Sequence, residues 1–459
     1  MNRRASWLFQ ASRLGDLALG FAWQILAARL LPVSEFGLVA VVTSAASFVV
    51  IGLSVGGDEV MTSARSGLLR QTFVREAKIR GVICIAAVCL AALVLVWSAL
   101  GSLTIIYSVG TAAVYLCNAY FTRQFNAVLS IIGVGAQALA MGAFFFFLPP
   151  DSAVELLSGL CFSVILRALV MSVCAVGLGK RDDGAGYLRP TVAKRFSLMA
   201  SSASTPLLGR QLHVMIAAGV GIALGDIGAY SAAYALAYMA ATATILGIGA
   251  TTMPRLADAA SRGHHHVSPE WRRVLIATSG LSIPAVVLSM AVAPSLMLLL
   301  YGPEYGDLGG ELYIGISAAL LIQRLTGGGA TNALLVATDR TSMLLGSIVA
   351  SAAALVLTDL IFMPLIGIWG AILGSVAAAV TGAAMTLYVV HRSHAITLPV
   401  SPQLKVLMIS AGFALPLYVV TSVARPAPWV VVCAAGLVGM LVLWVVQRHI
   451  FRPNLEGES

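Results

Sequence analysis

Four arginines stand inside long apolar runs of this chain: Arg13, Arg167, Arg210 and Arg324. A charge at membrane depth costs about 2.5–3.5 kcal/mol on insertion scales, so each is a functional candidate. Gln10, Arg13, Asp16, Gly20 and Gln24 step by three or four residues, which puts them on one face of a helix. Arg13 and Asp16 are spaced to pair on that face. Pro206, Arg210, His213 and Ala217 form a comparable stripe, with Pro206 expected to kink its helix. Gln323 and Arg324 precede Gly327, Gly328 and Gly329, with Asn332 beyond, and three glycines loosen a helix locally.

Guanidinium groups match phosphate oxygens through paired hydrogen bonds, so several inward-facing arginines point to an anionic ligand. The competing account is structural. Arginines snorkel, and Asp–Arg pairs tie helices together. Arg13 lies near one end of its run, and Arg167 has no obvious stripe.

Other chemistries leave no trace. GxxxxGK[ST], HExxH, GxSxG and paired-carboxylate patterns do not occur. Asp16 and Asp359 are the only acids clearly within apolar runs, and they fall in different runs. Cys84, Cys89, Cys117, Cys161, Cys174 and Cys433 all fall in apolar segments without a CxxC pair and read as packing residues. His264, His265 and His266 read as a solvated polar loop rather than a metal site, since no further ligand is near them in sequence. No cofactor is implied.

The elements that hold these residues follow from composition. Of 459 residues, 59% are hydrophobic and 10% charged, and the mean hydropathy is +0.93. A soluble domain carries about 25% charge, and a chain this poor in charge cannot cover a water-facing surface. The apolar runs are near the length that crosses a hydrocarbon core of about 30 Å. They lie at 7–30, 37–57, 80–99, 101–121, 128–148, 153–177, 196–222, 227–250, 273–294, 312–337, 342–362, 366–390, 404–423 and 428–447. The expected fold is therefore an all-α integral membrane protein of about fourteen transmembrane helices. No cleavable signal peptide is evident in the first run.

Charge in the connecting loops alternates. One set holds Arg3, Arg4, Arg65, Arg70, Arg75, Lys78, Arg80, Arg123, Lys180, Arg181, Arg189, Lys194 and Arg195. It continues with Arg255, Arg262, Arg272, Arg273, Arg340, Arg392, Lys405, Arg448 and Arg452. The other set holds only Arg29 and Arg425, with Glu35, Asp151, Glu155, Asp226, Glu304, Asp307 and Glu311. The positive-inside rule predicts both termini in the cytoplasm. The net charge of +9 is thus topological and is not a nucleic-acid footprint.

A weak internal symmetry links Leu31-Pro32-Val33-Ser34-Glu35-Phe36-Gly37-Leu38, after the first run, with Leu224-Gly225-Asp226-Ile227-Gly228-Ala229-Tyr230, after the seventh. Each is a short acidic turn with a glycine opening the next helix. The expected organisation is an N-lobe at 1–177, a cytoplasmic linker at 178–195, a C-lobe at 196–390 and two added helices with a short tail at 391–459. Two such repeats around a central site are a common transporter plan. Gly52-x3-Gly56, Gly221-x3-Gly225 and Gly370-x3-Gly374 read as close helix packing.

Ala28-Arg29-Leu30-Leu31-Pro32-Val33-Ser34-Glu35-Phe36-Gly37 resembles the "ARLLGPEEFG" turn of polysaccharide-transporter proteins. These are the Wzx-type oligosaccharide flippases of the multidrug/oligosaccharidyl-lipid/polysaccharide (MOP) exporter superfamily. Tyr301-Gly302-Pro303-Glu304-Tyr305 resembles that family's "lyGpeY" turn, Gly228-Ala229-Tyr230 its "vGxY" and Pro364-Leu365-Ile366-Gly367-Ile368-Trp369-Gly370-Ala371 its "p-x-yGixGA". Pro32 departs from the usual Gly and Ile366 from the usual Tyr.

The resemblance implies a MATE-like exporter fold of two six-helix lobes plus two C-terminal helices. It implies a flippase, not an enzyme, that carries polyprenyl-pyrophosphate-linked oligosaccharide across the bacterial cytoplasmic membrane by alternating access. Its partners would be the lipid-linked substrate, the bilayer, and the polymerase and chain-length regulator of a glycan pathway. Arg210 and Arg324 are then expected to hold the pyrophosphate with His213, Gln323 and Gln24 beside them, and Arg13 and Asp16 to form part of a cytoplasmic-side gate. A multidrug-type exporter would stop near twelve spans and rely on membrane acids. A pathway polymerase or ligase would carry a large outer loop, and a peptidoglycan-precursor flippase would share the fold.

Overall fold

The computed structural model describes Arg3 to Arg448, apart from most of 55–68, 96–97, 124–126, 178–207, 339, 395–399, 425 and scattered positions between 244 and 263. The linker expected at 178–195 lies outside the described residues. The chain divides into two compact units, one of residues 1–218 with 223–228, the other of 219–222 with 229–459.

The first unit contains α1 (Arg3–Leu30), α2 (Val33–Ser54), α3 (Leu69–Leu95), α4 (Ala99–Arg123), α5 (Ala127–Phe147), α6 (Ala153–Gly177) and α7 (Arg210–Gly219). α4 is its hub and packs on α2, α3 and α6, while α5 bridges α1 and α6. A buried cluster of Phe73, Tyr120, Phe121, Leu129 and Met171 fills the space between α3, α4, α5 and α6. Phe73 and Tyr120 stack at 4.4 Å between ring centroids. Glu35, in the first turn of α2, accepts a hydrogen bond of 2.9 Å from the Ala153 amide that opens α6. This satisfies one of the donors a helix start leaves free and sets a carboxylate against the positive helix end.

Residues 223–228 form the first turn of α8 (Leu224–Ala243) and pack on the start of α2. The two turns paired by the sequence symmetry therefore meet. A Cβ on Gly37 would lie 1.9 Å from the Leu224 carbonyl oxygen, and one on Gly228 would lie 2.3 Å from that of Val33. Only glycine lets two backbones approach so closely.

The second unit runs from the rest of α8 through α9 (His264–Ala291), α10 (Ala293–Tyr301), α11 (Asp307–Leu325) and α12 (Gly328–Ala337). It closes with α13 (Thr341–Ile366), α14 (Trp369–His394), α15 (Val400–Ala424) and α16 (Pro428–Val446). α13 and α14 form its tightest hairpin. Gly367 turns the chain at φ +67°, and a Cβ on Gly370 would meet the Met363 backbone nitrogen at 2.4 Å. The added helices α15 and α16 pack on α9, and α16 also on α10. Between them lies a core of Ile283, Val292, Val406, Leu417, Val431 and Val442.

Three expectations change. The histidine triplet opens α9 and is helical. The run at 312–337 is two helices, broken at Thr326 and Gly327, where φ of Gly327 is +75°. Gly52, Gly221 and Gly225 have open space where a Cβ would stand, so of the three small-residue spacings only the one at Gly370 shows close packing at its first glycine.

Eight described helices are long and apolar enough to cross a bilayer: α2, α4, α5, α6, α9, α13, α15 and α16. α1 and α3, of 28 and 27 residues, are as long as these but carry more charge. The outer faces of the spanning helices are apolar too: Phe146 and Val423 are each 80% exposed and Leu139 is 77% exposed. Large apolar side chains exposed all along such helices need lipid as their solvent, and the helical backbone satisfies its own hydrogen bonds there. The chain is a multi-pass membrane protein.

Candidate functional site

Inside the first unit a cavity of about 480 Å³ opens between α1, α2, α4 and α7. Each helix turns polar residues toward it. α1 contributes Trp23 and Gln24, and α7 contributes Arg210 and Gln211. From α2 come Thr43, Ser47 and Ser54, with Asp58 just past its end, a spacing that keeps all four on one side. From α4 come Tyr107, Thr111 and Tyr115, each four residues from the last.

The hydroxyls of α2 spend their protons locally. Thr43 Oγ1 donates to the Val39 carbonyl at 2.9 Å and Ser47 Oγ to that of Thr43 at 3.0 Å. Their oxygens keep acceptor capacity for a ligand donor. Gln24 Oε1 has no hydrogen-bond partner.

Asp58 is already neutralised. Its Oδ1 lies 3.0 Å from Arg80 Nη2, and the buried Arg80 guanidinium also donates to the carbonyls of Ser54 and Ala112. One arginine thus ties the end of α2 to the middle of α3 and of α4. Burial holds the Asp58 carboxyl above the usual carboxylate range, with Arg80 partly offsetting it and Glu76 adding to it. Asp58 is paired with Arg80, which stands behind the lining, and Arg210 is the other charged side chain of the described lining.

The candidate residues separate. Gln24 and Arg210 reach the cavity together. His213 is fully buried and is not part of the lining. Asp16 has its partner in Arg167 on α6, with 2.6 Å between Oδ1 and Nη2, rather than only a neighbour on its own helix face. Arg167 also donates to Gln137 Oε1 at 2.9 Å, so it joins α1, α5 and α6 and serves packing. Arg13 lies on α1, and its side chain is outside the described residues.

Arg324 and Gln323 belong to the second unit, in the last turn of α11 before the break. A cation there complements the negative end of the helix. Tyr234 and Tyr238 lie within electrostatic reach of Arg324. They continue a ladder along α8 from Tyr230, with centroid separations of 6.0 and 6.3 Å. Arg324 Nε has no hydrogen-bond partner, and among the described residues no carboxylate pairs with this side chain. The Arg324 carbonyl accepts from Ser279 Oγ at 3.5 Å, which in turn accepts from Gln403 Nε2 at 3.2 Å. α15 is thereby linked through α9 to the end of α11.

The stripes on α2 and α4 escape a reading that weighs charges, because serine, threonine and tyrosine are common in membrane helices. Their signal is the repeated spacing of four. The described residues hold no group of three or more potential metal ligands.

No family model matches the chain, and no curated protein matches it by sequence. Solved structures do match in fold. The lipid II flippase MurJ in an inward closed conformation aligns with a TM-score of 0.72 at 13% identity, covering 98% of this chain and 99% of that one. An inward-facing multidrug resistance MATE family transporter of the MOP superfamily aligns at 0.59 and 16% identity, over 86% of this chain and 96% of the other. A MOP superfamily transporter from Pyrococcus furiosus Vc1, described as having a binding pocket of reverse polarity, aligns at 0.54 and 15% identity, over 83% and 94%. The chain has the MATE-like exporter fold.

Proposed function

We propose that this protein is a flippase carrying a polyprenyl-pyrophosphate-linked oligosaccharide from the inner to the outer leaflet of the bacterial cytoplasmic membrane. The observation that carries this reading is Arg210 in a polar cavity inside a membrane-embedded unit. Moving a pyrophosphate across hydrocarbon requires its charge to be offset, and a guanidinium set among hydrogen-bonding groups does so. Arg324, at the α11 break, is the second anchor. Broken helices of this kind line ligand paths in transporters. The lipid tail stays in the bilayer, both termini face the cytoplasm, and the six-helix halves act as repeats that open alternately. A polymerase and a chain-length regulator of the same glycan pathway are the expected partners.

The test is surface glycan in a deletion strain. Arg210→Ala and Arg324→Ala should abolish display while protein remains in the membrane at its normal level. Unchanged glycan in both variants would sink the assignment. The likeness to MurJ over nearly the whole of both chains supports a second reading, a peptidoglycan-precursor flippase. Rescue of a strain depleted of its own lipid II flippase would decide for it.

A further inference from the structure

We infer that the added helix α15 braces the last turn of α11, with Gln403 and Ser279 as the residues that position Arg324. This rests on the flippase reading, in which Arg324 is the second anchor of the pyrophosphate, and names what holds that anchor in place. The last turn of α11 needs such support. Gly327 turns the chain at φ +75° before α12 begins, and the final carbonyls of a helix lack the amides that a continuing helix supplies. The Arg324 carbonyl accepts from the Gly327 amide at 3.2 Å, a tighter closure than the α-helical one, and from Ser279 Oγ at 3.5 Å.

Two contacts fix this turn from the side of the added helices. The first is apolar. Leu321 and Leu325, four residues apart on one face of α11, pack on the core to which α9 gives Ile276 and α15 gives Val406. The second is polar. Ser279 Oγ accepts from Gln403 Nε2 at 3.2 Å, and both residues are buried, each 3% exposed. A buried amide without a partner is costly, so Gln403 is held to this bond. Gln403 and Val406 lie three residues apart, so one face of α15 makes both contacts. With Leu321 and Leu325 seated there, Arg324 stands about a quarter-turn round α11 from them. That places it within electrostatic reach of Tyr234 and Tyr238 on α8. Fraying or rotation of this one turn would carry the guanidinium, at the end of a long side chain, away from that position.

The experiment measures binding of undecaprenyl pyrophosphate to the full-length protein in nanodiscs, with the melting temperature of each variant beside it. Arg324→Ala should weaken binding. Gln403→Leu and Ser279→Ala should each weaken it about fivefold, the scale of one net hydrogen bond. In the Arg324→Ala background the same two changes should have almost no further effect, because the group they position is gone. A loss that came only from a weaker fold would persist in that background. Ser410→Ala is the control: this buried hydroxyl of α15 donates to the Val406 carbonyl of its own helix at 2.7 Å, and its removal should leave binding as in wild type. Ser279→Ala is the smaller change and decides the matter if Gln403→Leu does not fold. Wild-type binding in Gln403→Leu and Ser279→Ala would overturn the brace, as would equal losses with and without Arg324 or an equal loss in Ser410→Ala. Each of these leaves the flippase reading standing. Unchanged binding in Arg324→Ala would remove the anchor and the brace with it, and no binding by wild type would overturn the flippase reading as well.

Discussion

Asp16 on α1 and Arg167 on α6 stand 2.6 Å apart within the first unit, and Gln137 on α5 holds the same guanidinium from the other side. Two residues with the makings of a ligand site are thus spent on each other. Removing one member of a buried pair costs about 3–5 kcal/mol, because it strands the other charge. Asp16 keeps some solvent access, with 23% of its side chain exposed, so its loss belongs at or below the lower end. Arg167→Met should lower the thermal stability of the detergent-solubilised protein sharply, and Asp16→Asn less so. The double variant Asp16→Asn with Arg167→Met should recover much of the difference. Additive losses in that double variant would show that the pair is not coupled.

Gly37 and Gly228 make the second prediction. Each lies against a backbone carbonyl of the other turn, closer than any Cβ can approach. Backbone cannot give way as a side-chain tip can, so overpacking here should cost at least about 1–3 kcal/mol. Gly37→Ala and Gly228→Ala should both reduce protein level and melting temperature. Gly52→Ala is the control. Its Cβ would meet open space, and alanine is the better helix former by about 1 kcal/mol. Equal behaviour of Gly37→Ala and Gly52→Ala would refute the close approach.

Much of the fold is legible in the sequence because a bilayer imposes a simple rule: apolar runs of fixed length, with turns marked by glycine and acid. The turns around Gly37, Gly302 and Gly367 all stand where the residues put them, and Gly302 and Gly367 take positive φ. What the run lengths conceal is a broken span, since Thr326 and Gly327 separate α11 from α12 inside one run. The site is less legible. Gln24 and Arg210 follow from stripes on single helices, but the pairing of Asp58 with Arg80 crosses between α2 and α3. Arg80 reads in sequence as one of many topological charges. Nor does spacing reveal that Arg167 is the partner of Asp16, because sequence periodicity describes one helix at a time.

Gly327 holds the break that presents Arg324. At φ +75° a residue with a side chain is strained by about 1–2 kcal/mol, and a Cβ would lie 2.4 Å from Leu275 Cδ1. Gly327→Ala should therefore impair transport with a smaller effect on protein level, since the strain falls beside Arg324. Adding Leu275→Ala relieves the clash but not the backbone strain, so rescue should be partial. Full rescue would assign the whole effect to the clash. No loss of glycan export in Gly327→Ala would remove the break from the transport cycle.

Asp58 yields a prediction in pH. Burial among α2, α3 and α4 raises its folded-state affinity for a proton above that of the unfolded chain, with Arg80 opposing and Glu76 reinforcing the shift. The folded protein then binds more protons than the unfolded one between the ordinary carboxylate value, about 4, and the raised one. Its contribution to stability is fully present below that window and is lost as pH rises through it. Asp58→Asn has no such proton to release, and Arg80 retains the Ser54 and Ala112 carbonyls. Melting temperatures of wild type relative to Asp58→Asn should therefore fall as pH is raised from about 4 towards neutrality. A difference that stays flat would mean Arg80 fully offsets the burial, and one that rises would mean the ion pair outweighs it.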